Sequence, residues 1–319
     1  MIVLKKVLVA TDFKPASEAA LTYGRMLART FGASLHVLHV VENFFLRSTP
    51  SDPHALVAAR TRTLNDQLSG VRRDTTVHVA VTVSDDVGDA IVSYARANTI
   101  DAILVGTHGR TGMARVLEGS VAERVVRSAP CPVLTVHHPE HEFVGSADAE
   151  SEAAMIVLKK ILVATDFSEP SAAALAYGRE FARTFGAQLI VANVVDDVLT
   201  RVYGADGFVM MDPDLQRQIE AAARRQLDAV LDDEDRSALG AEGVILMSNV
   251  PASALVAYAR ERGVDVIVMG THGRGGVAHL VMGSVAERVV RTAPCPVLTV
   301  RHPEHEFIRP DALVAVTQA

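Results

Sequence analysis

The chain repeats itself, and the repeat constrains its fold more than any other feature. Residues 1–13 read MIVLKKVLVATDF and residues 155–167 read MIVLKKILVATDF, an offset of 154 (155 − 1). Further on, GTHGR at 106–110 returns at 270–274, an offset of 164 (270 − 106). The second copy has therefore gained ten residues between these blocks. The stretch 200–214, TRVYGADGFVMMDPD, is rich in Gly, Asp and Met and is where they are expected, as a loop. Its Met210-Met211 pair reads either as an adaptable contact surface or as ordinary loop packing. Matching resumes at GSVAER (119–124 and 283–288) and runs to HPEHEF (138–143 and 302–307). These blocks divide the chain into a first domain at 1–143, a small, polar, acidic linker at 144–154, a second domain at 155–307 and a tail at 308–319.

Composition narrows the class. The chain is 49% hydrophobic, enough for a core in each half, and its net charge of −7 leaves no broad basic surface for nucleic acid. The two cysteines, Cys131 and Cys295, occupy the same local sequence in each copy and read as small buried hydrophobes, not as a disulfide framework. Charge arrives too early in Met1–Lys6 for a signal peptide, and no apolar run reaches the roughly 20 residues of a membrane span. The expectation is a cytoplasmic protein without a membrane segment.

Within each copy, short β-branched runs alternate with helical spacings. In the first, strands are expected at 7–10, 35–41, 76–83, 102–105 and 133–136, and helices at 14–31, 53–68, 88–97 and 120–127, with Gly32 as a left-handed cap. Such alternation implies an α/β fold, a five-stranded parallel sheet per copy with helices on both faces. The flavodoxin-like strand order 3-2-1-4-5 makes strands 1 and 4 neighbours at a topological switch point, where ligands bind outside the carboxyl ends.

The unusual residues fall there. Asp12 and Asp166 end strand 1, and after strand 4 comes Gly106-x-x-Gly109, nine residues, then Gly119-Ser120. The second copy repeats this as Gly270-x-x-Gly273, nine residues, then Gly283-Ser284. Glycines admit close backbone approach, and a helix opening at the serine offers free N–H groups to an anion. None of the five lysines lies in this loop, so this is not a P-loop; backbone amides, serine hydroxyls, Arg110 and Arg274 would hold phosphates. Asp12 would sit by the ribose or a water of Mg²⁺. Ser120-x-x-Glu123 and Ser284-x-x-Glu287 also read as capping boxes. His108 and His272 would shape the loop or touch phosphate. His137, His138, His141, His302 and His305 form either a zinc site or a solvated terminal turn.

The endings ATDF and LHV, the GTHGR loop, GS before VAERV, and the terminal APCPVLTV together resemble the universal stress protein family over nearly all of both halves. The resemblance implies tandem domains of the adenine nucleotide alpha hydrolase-like fold, ATP binding, and dimers through the fifth strand. Carried over, the first site would use Asp12, Val40, Gly106, Gly109, Gly119, Ser120 and Val121, with Val40 meeting adenine through its backbone. The second would use Asp166, Val194, Gly270, Gly273, Gly283, Ser284 and Val285. The copies depart from the pattern differently: Asn249-Val250-Pro251 follows strand 3 in the second, Asp85-Asp86-Val87 in the first, and Asn193 replaces His39. The expected function is a nucleotide-responsive stress or signalling module whose fifth strands pair within the chain, with further assembly into a homodimer. The alternatives are a slow Mg²⁺-dependent ATPase and a dimeric scaffold that binds no nucleotide; no activated nucleophile is evident.

Overall fold

The computed structural model describes residues 1–43, 52–70, 74–108, 120–138, 144–146, 154–198, 202–203, 208–209, 213–272 and 282–301. It divides into one unit of residues 1–157 with 296–319, and a second of 158–295. In the first unit the strands are β1 (Lys6–Ala10), β2 (Ser34–Glu42), β3 (Val77–Ser84), β4 (Ala102–His108) and β5 (Val133–His138). The helices between them are α1 (Pro15–Phe31), α2 (Pro53–Gln67), α3 (Val87–Ala97) and α4 (Ser120–Ser128). The sheet order is β3-β2-β1-β4-β5, all parallel, which is the 3-2-1-4-5 winding expected of the sequence. Val7, Leu8 and Val9 of the central strand are fully buried, the mark of a parallel strand covered on both faces.

One carboxylate aligns the strands that flank the switch point. Asp101, just before β4, accepts the backbone N–H groups of Lys5 and Lys6 at 2.8 and 2.7 Å, tying the start of β1 to its neighbour. Two short strands, β6 (Val144–Ser146) and β7 (Ala154–Ile156), pair antiparallel, so the stretch expected as a plain linker begins and ends in a ladder.

The second unit carries β8 (Lys160–Ala164), α5 (Glu169–Phe185), β9 (Gln188–Val195), β10 (Val202–Tyr203) and β11 (Phe208–Val209). It continues through α6 (Pro213–Val230), α7 (Asp233–Ala238), β12 (Glu242–Met247), α8 (Pro251–Arg262), β13 (Val266–Gly270) and α9 (Ser284–Thr292). Its strands run β12-β9-β8-β13, again 3-2-1-4. Asp265 repeats the clamp on Lys159 and Lys160, both at 2.7 Å. The repeat's last strand, β14 (Val297–Val300), belongs to the first unit, where it pairs antiparallel with β5. Thr135 and Thr299 reinforce that ladder, donating to Val297 O and Val133 O at 3.2 and 3.1 Å. Gly32 and Gly186 end α1 and α5 in the left-handed region, at φ 64° and 65°.

The extra residues of the second copy are not one loop. Asp52-Pro53 and Asp212-Pro213 lead into matching helices at an offset of 160 (213 − 53), so six of the ten (160 − 154) precede α6. The other four (164 − 160) fall between the start of α6 and β12, where α7 stands. Before α6, β10 and β11 pair antiparallel; Met210 and Met211 lie outside the described residues.

Candidate functional site

The register brings three strand ends together. Ala10 lies opposite Leu38 of β2 and Val105 of β4, so Asp12, Val40 and Gly106 leave neighbouring ends of the sheet. Ala164 lies opposite Ala192 and Met269, which places Asp166, Val194 and Gly270 alike.

The turn after β1 is held open by hydroxyls. Phe13 has φ 63° and Phe167 φ 62°, a left-handed conformation that costs a non-glycine residue of order 1–3 kcal/mol. The Phe13 and Phe167 N–H groups donate to Thr11 Oγ1 and Thr165 Oγ1 at 3.1 and 3.0 Å. Those hydroxyls lie 3.1 Å from Ser17 Oγ and Ser171 Oγ, which donate in turn to Lys14 O and Ser168 O. The sequence reading missed this clamp, although Thr and Ser six residues apart recur in both copies. Each aspartate closes the turn by accepting the N–H two residues on, at 3.1 Å. Asp12 also pairs with Lys14 Nζ at 3.3 Å, whereas Asp166 accepts the Ser168 hydroxyl. Burial raises the Asp12 pKa, but the Ser17 hydroxyl and Lys14 outweigh it and hold the carboxyl below its ordinary value.

His39 and Asn193 turn out to be equivalent. His39 Nδ1 donates to Thr11 O at 2.8 Å and Asn193 Nδ2 donates to Thr165 O at 2.8 Å, so both tie strand 2 to the turn. Burial pushes the His39 pKa down, against the pull of the Thr11 carbonyl. The first copy adds the Phe13 ring, 4.6 Å from the His39 ring, with Arg60 of α2 over it at 5.3 Å.

In the second copy Gly283 N donates to Thr271 O at 2.9 Å, drawing the two ends of the glycine loop together at the end of β13. Gly283 is extended (φ −62°, ψ 140°) and caps α9, so Ser284 is the first helical residue and its N–H and those of Val285 and Ala286 face outward from the helix end. This corrects the capping-box reading. Gly283, not Ser284, is the N-cap, no side chain caps it, and Glu287 instead pairs with Arg291 at 3.0 Å, as Glu123 does with Arg127 at 2.8 Å. His272 Nδ1 lies 2.9 Å from Thr271 Oγ1, a loop-shaping contact.

The glycine at the end of strand 4 has a structural cause. A Cβ on Gly106 would stand 2.4 Å from the backbone carbonyl of Ala16 and 2.6 Å from Ser17 N, and one on Gly270 3.0 Å from Pro170 O. These residues let the start of α1 and α5 cross the strand end; close approach of a ligand is not needed to explain them. Gly109, Arg110, Gly119, Gly273 and Arg274 lie outside the described residues, as does the Ser120 side chain.

The first unit also holds a cavity of about 450 Å³, and of the residues expected in the first site only Val121 of α4 is on its wall. Glu42, Asp85 and Asp86 line one side and Glu123, Arg124 and Arg127 the other. Composition alone did not reveal it, because its walls come from β2, the β3–α3 turn and α4. Among the described residues no cluster of three His, Cys, Asp or Glu could hold a metal, and no helix is long and apolar enough to cross a membrane. Of the terminal histidines only His137 has a described side chain, and it is buried.

A doubly wound parallel α/β unit with a topological switch point between its first and fourth strands, built twice, defines the fold class. The universal stress protein family profile matches residues 4–137 and 158–301, and the chain belongs to that family. Universal stress protein Rv2005c of Mycobacterium tuberculosis is 26% identical over 308 residues, which cover 92% of this chain and 96% of the relative. Universal stress protein MJ0531 of Methanocaldococcus jannaschii is 32% identical over 148 residues, covering 46% of this chain and 85% of its own. The crystal structure of a universal stress protein from Archaeoglobus fulgidus shares the fold with a TM-score of 0.60, at 22% identity, covering 93% of this chain and 98% of that one.

Proposed function

We propose that the chain is an ATP-binding stress or signalling module of the cytoplasm, with one nucleotide site per copy and assembly into a homodimer. One observation carries most of the reading: the Gly283 N–H to Thr271 O bond sets the open first turn of α9 at the strand end next to Asp166 and Val194. Unpaired amides at such a helix end, with the dipole behind them, favour phosphate. Ser284, Val285 and the loop glycines would hold the phosphates, helped by Arg274, and the Val194 backbone would meet the base. The first copy would use Asp12, Val40, Gly106, Gly109, Arg110, Gly119, Ser120 and Val121 in the same way. Asp12 and Asp166 would accept from the ribose or from a water on Mg²⁺, which would neutralise phosphate charge. Bound nucleotide would favour one arrangement of the loops over another by its differential affinity.

Heat-denaturing the purified chain and assaying the supernatant tests this. ATP released at about two per chain is expected. Replacing both Gly109 and Gly273 with a bulky residue such as valine should abolish it; retained binding would refute the placement. ADP with phosphate accumulating on added Mg-ATP would mark a slow ATPase instead. No nucleotide and no thermal shift with ATP would mark a scaffold.

A further inference from the structure

We propose that the two sites sort nucleotides by charge: Arg288 makes the second copy the polyphosphate site, while its locked counterpart Arg124 leaves the first copy to less charged nucleotides. The inference rests on the nucleotide reading above and names what each site selects.

In the first copy Arg124 is already engaged. Its Nε and Nη2 donate to the two carboxylate oxygens of Asp89 at 2.8 and 2.9 Å, and that bond draws the Asp89 carboxyl below its usual range. The path of its stem depends on Gly88. A Cβ there would stand 2.5 Å from Arg124 Cγ and 2.8 Å from its Cβ. Arg127, the other cation of the cavity, pairs with Glu123 at 2.8 Å. The other charged side chains on the wall, Glu42, Asp85 and Asp86, are all acidic. An anion entering here meets carboxylates and two guanidiniums that are already paired.

The second copy changes each of these positions. Ala252 stands where Gly88 does, and it is 3% exposed, so a methyl group occupies the space along which the Arg124 stem runs. Ser253 replaces Asp89, so the anchoring carboxylate is missing as well. Asn249 and Val250 replace Asp85 and Asp86, and of the three wall acids only Glu42 keeps an acidic counterpart, Asp196. Arg291 is held by Glu287. Arg288 is exposed and forms no ion pair among the described residues. It follows Ser284 by four residues on α9 and so shares its face, one turn from the open N–H groups. A guanidinium in that place matches phosphate oxygens in a two-pronged contact.

The test is titration of the full chain with ATP, ADP and AMP in EDTA and in Mg²⁺, using the wild type, Arg288→Gln and Asp89→Ser. The wild type should show a tighter and a weaker class of ATP site. Arg288→Gln should weaken the tighter class about 10- to 100-fold for ATP, less for ADP, and under about 3-fold for AMP, as loss of one charged hydrogen bond implies. Asp89→Ser releases Arg124 and should tighten the weaker class for ATP. An equal loss for ATP and AMP in Arg288→Gln, or no loss, overturns the inference and leaves ATP binding standing. No tightening in Asp89→Ser overturns its first-copy half. A wild type that binds no nucleotide overturns both this inference and the reading beneath it.

Discussion

The two copies share their backbone wiring and differ in how they settle the same half-buried arginine. Arg25 of α1 and Arg179 of α5 occupy matching positions in helices of equal length. Arg179 donates from Nε and Nη2 to the fully buried carboxylate of Asp235 at 2.7–3.0 Å and also to Val230 O. Arg25 reaches only Gln67 O, at 3.3 Å, and its buried Nε has no hydrogen-bond partner among the described residues. Burial accordingly lowers its pKa, with Glu18 opposing. Asp235 comes from α7, in the segment where the second copy carries four of its extra residues. The insertion thus did more than lengthen a loop, because it brought the counter-ion. A duplicated fold can hold its strands and turns constant while the charge balance of each half diverges.

The sharpest way to break this comparison is to remove the counter-ion. Asp235→Ala leaves a guanidinium that is largely buried with one carbonyl for company. Breaking one partner of such a pair costs about 3–5 kcal/mol. Arg25→Met in the first copy keeps the aliphatic stem and discards an incompletely paired cation, so its cost should stay below about 1 kcal/mol. Urea unfolding followed by hydrogen exchange within each unit would separate the two. Equal losses in both halves would end the claim that Asp235 distinguishes them.

Acid should tell the halves apart next. His36 of β2 stacks on His78 of β3 with ring centres 4.5 Å apart, and its Nδ1 lies 3.0 Å from Tyr94 Oη. The second copy has Ile190 at that position. Burial, with His78 and Lys6 adding repulsion, lowers the His36 pKa to about 4. The unfolded chain takes up that proton near its ordinary value of about 6.5, so below that pH it binds more protons than the fold does. Stability is then complete above about 6.5 and falls as the pH drops toward 4, by up to about 3 kcal/mol from this residue. The loss should appear in the exchange of first-unit amides between pH 7.5 and 4.5, and His36→Leu should remove most of it. His39, whose pKa burial also lowers, would account for a residual slope. An unchanged slope in His36→Leu would show that another group carries the acid response.

These contrasts also mark what could be read from residues in order. Strand sequence, winding, the Gly32 cap and the repeated Gly-x-x-Gly-x9-Gly-Ser loop are local or periodic signals, and each copy states them again. The reason for Gly106 was not local: the backbone that excludes a side chain there is at Ala16, ninety residues earlier (106 − 16). Nothing local sets Asp235 apart from its neighbours in DDEDR, because its partner is 56 residues away. Ser284 was read as a cap because Ser and Glu three residues apart satisfy two geometries. Only the extended backbone of Gly283 decides that the cap lies one residue earlier and that Ser284 already belongs to the helix. The cavity wall was hidden for a similar reason: Glu42 and Arg124 are brought to it by different elements.

The smallest contrast is the cleanest, because the two copies already hold each other's mutant. After α3, Thr99 adopts φ 50°, and after α8 its counterpart Gly263 adopts φ 60°. The surrounding bonds agree: Ile100 N donates to Ala95 O at 3.0 Å and Val264 N to Ala259 O at 2.9 Å. A left-handed β-branched residue carries roughly 1–2 kcal/mol of backbone strain that glycine does not. Thr99 recovers a little of this by accepting from Lys6 Nζ at 3.0 Å, an exposed contact of small value. Thr99→Gly should therefore stabilise the first unit by about 0.5–1 kcal/mol. Gly263→Thr should destabilise the second by roughly 1–2 kcal/mol. A Cβ at Gly263 meets nothing within 4 Å, so the whole cost would be conformational, not steric crowding. Paired melting curves of the two exchanges check this, and a Gly263→Thr chain that melts like the parent would remove backbone strain from the account of how the halves differ.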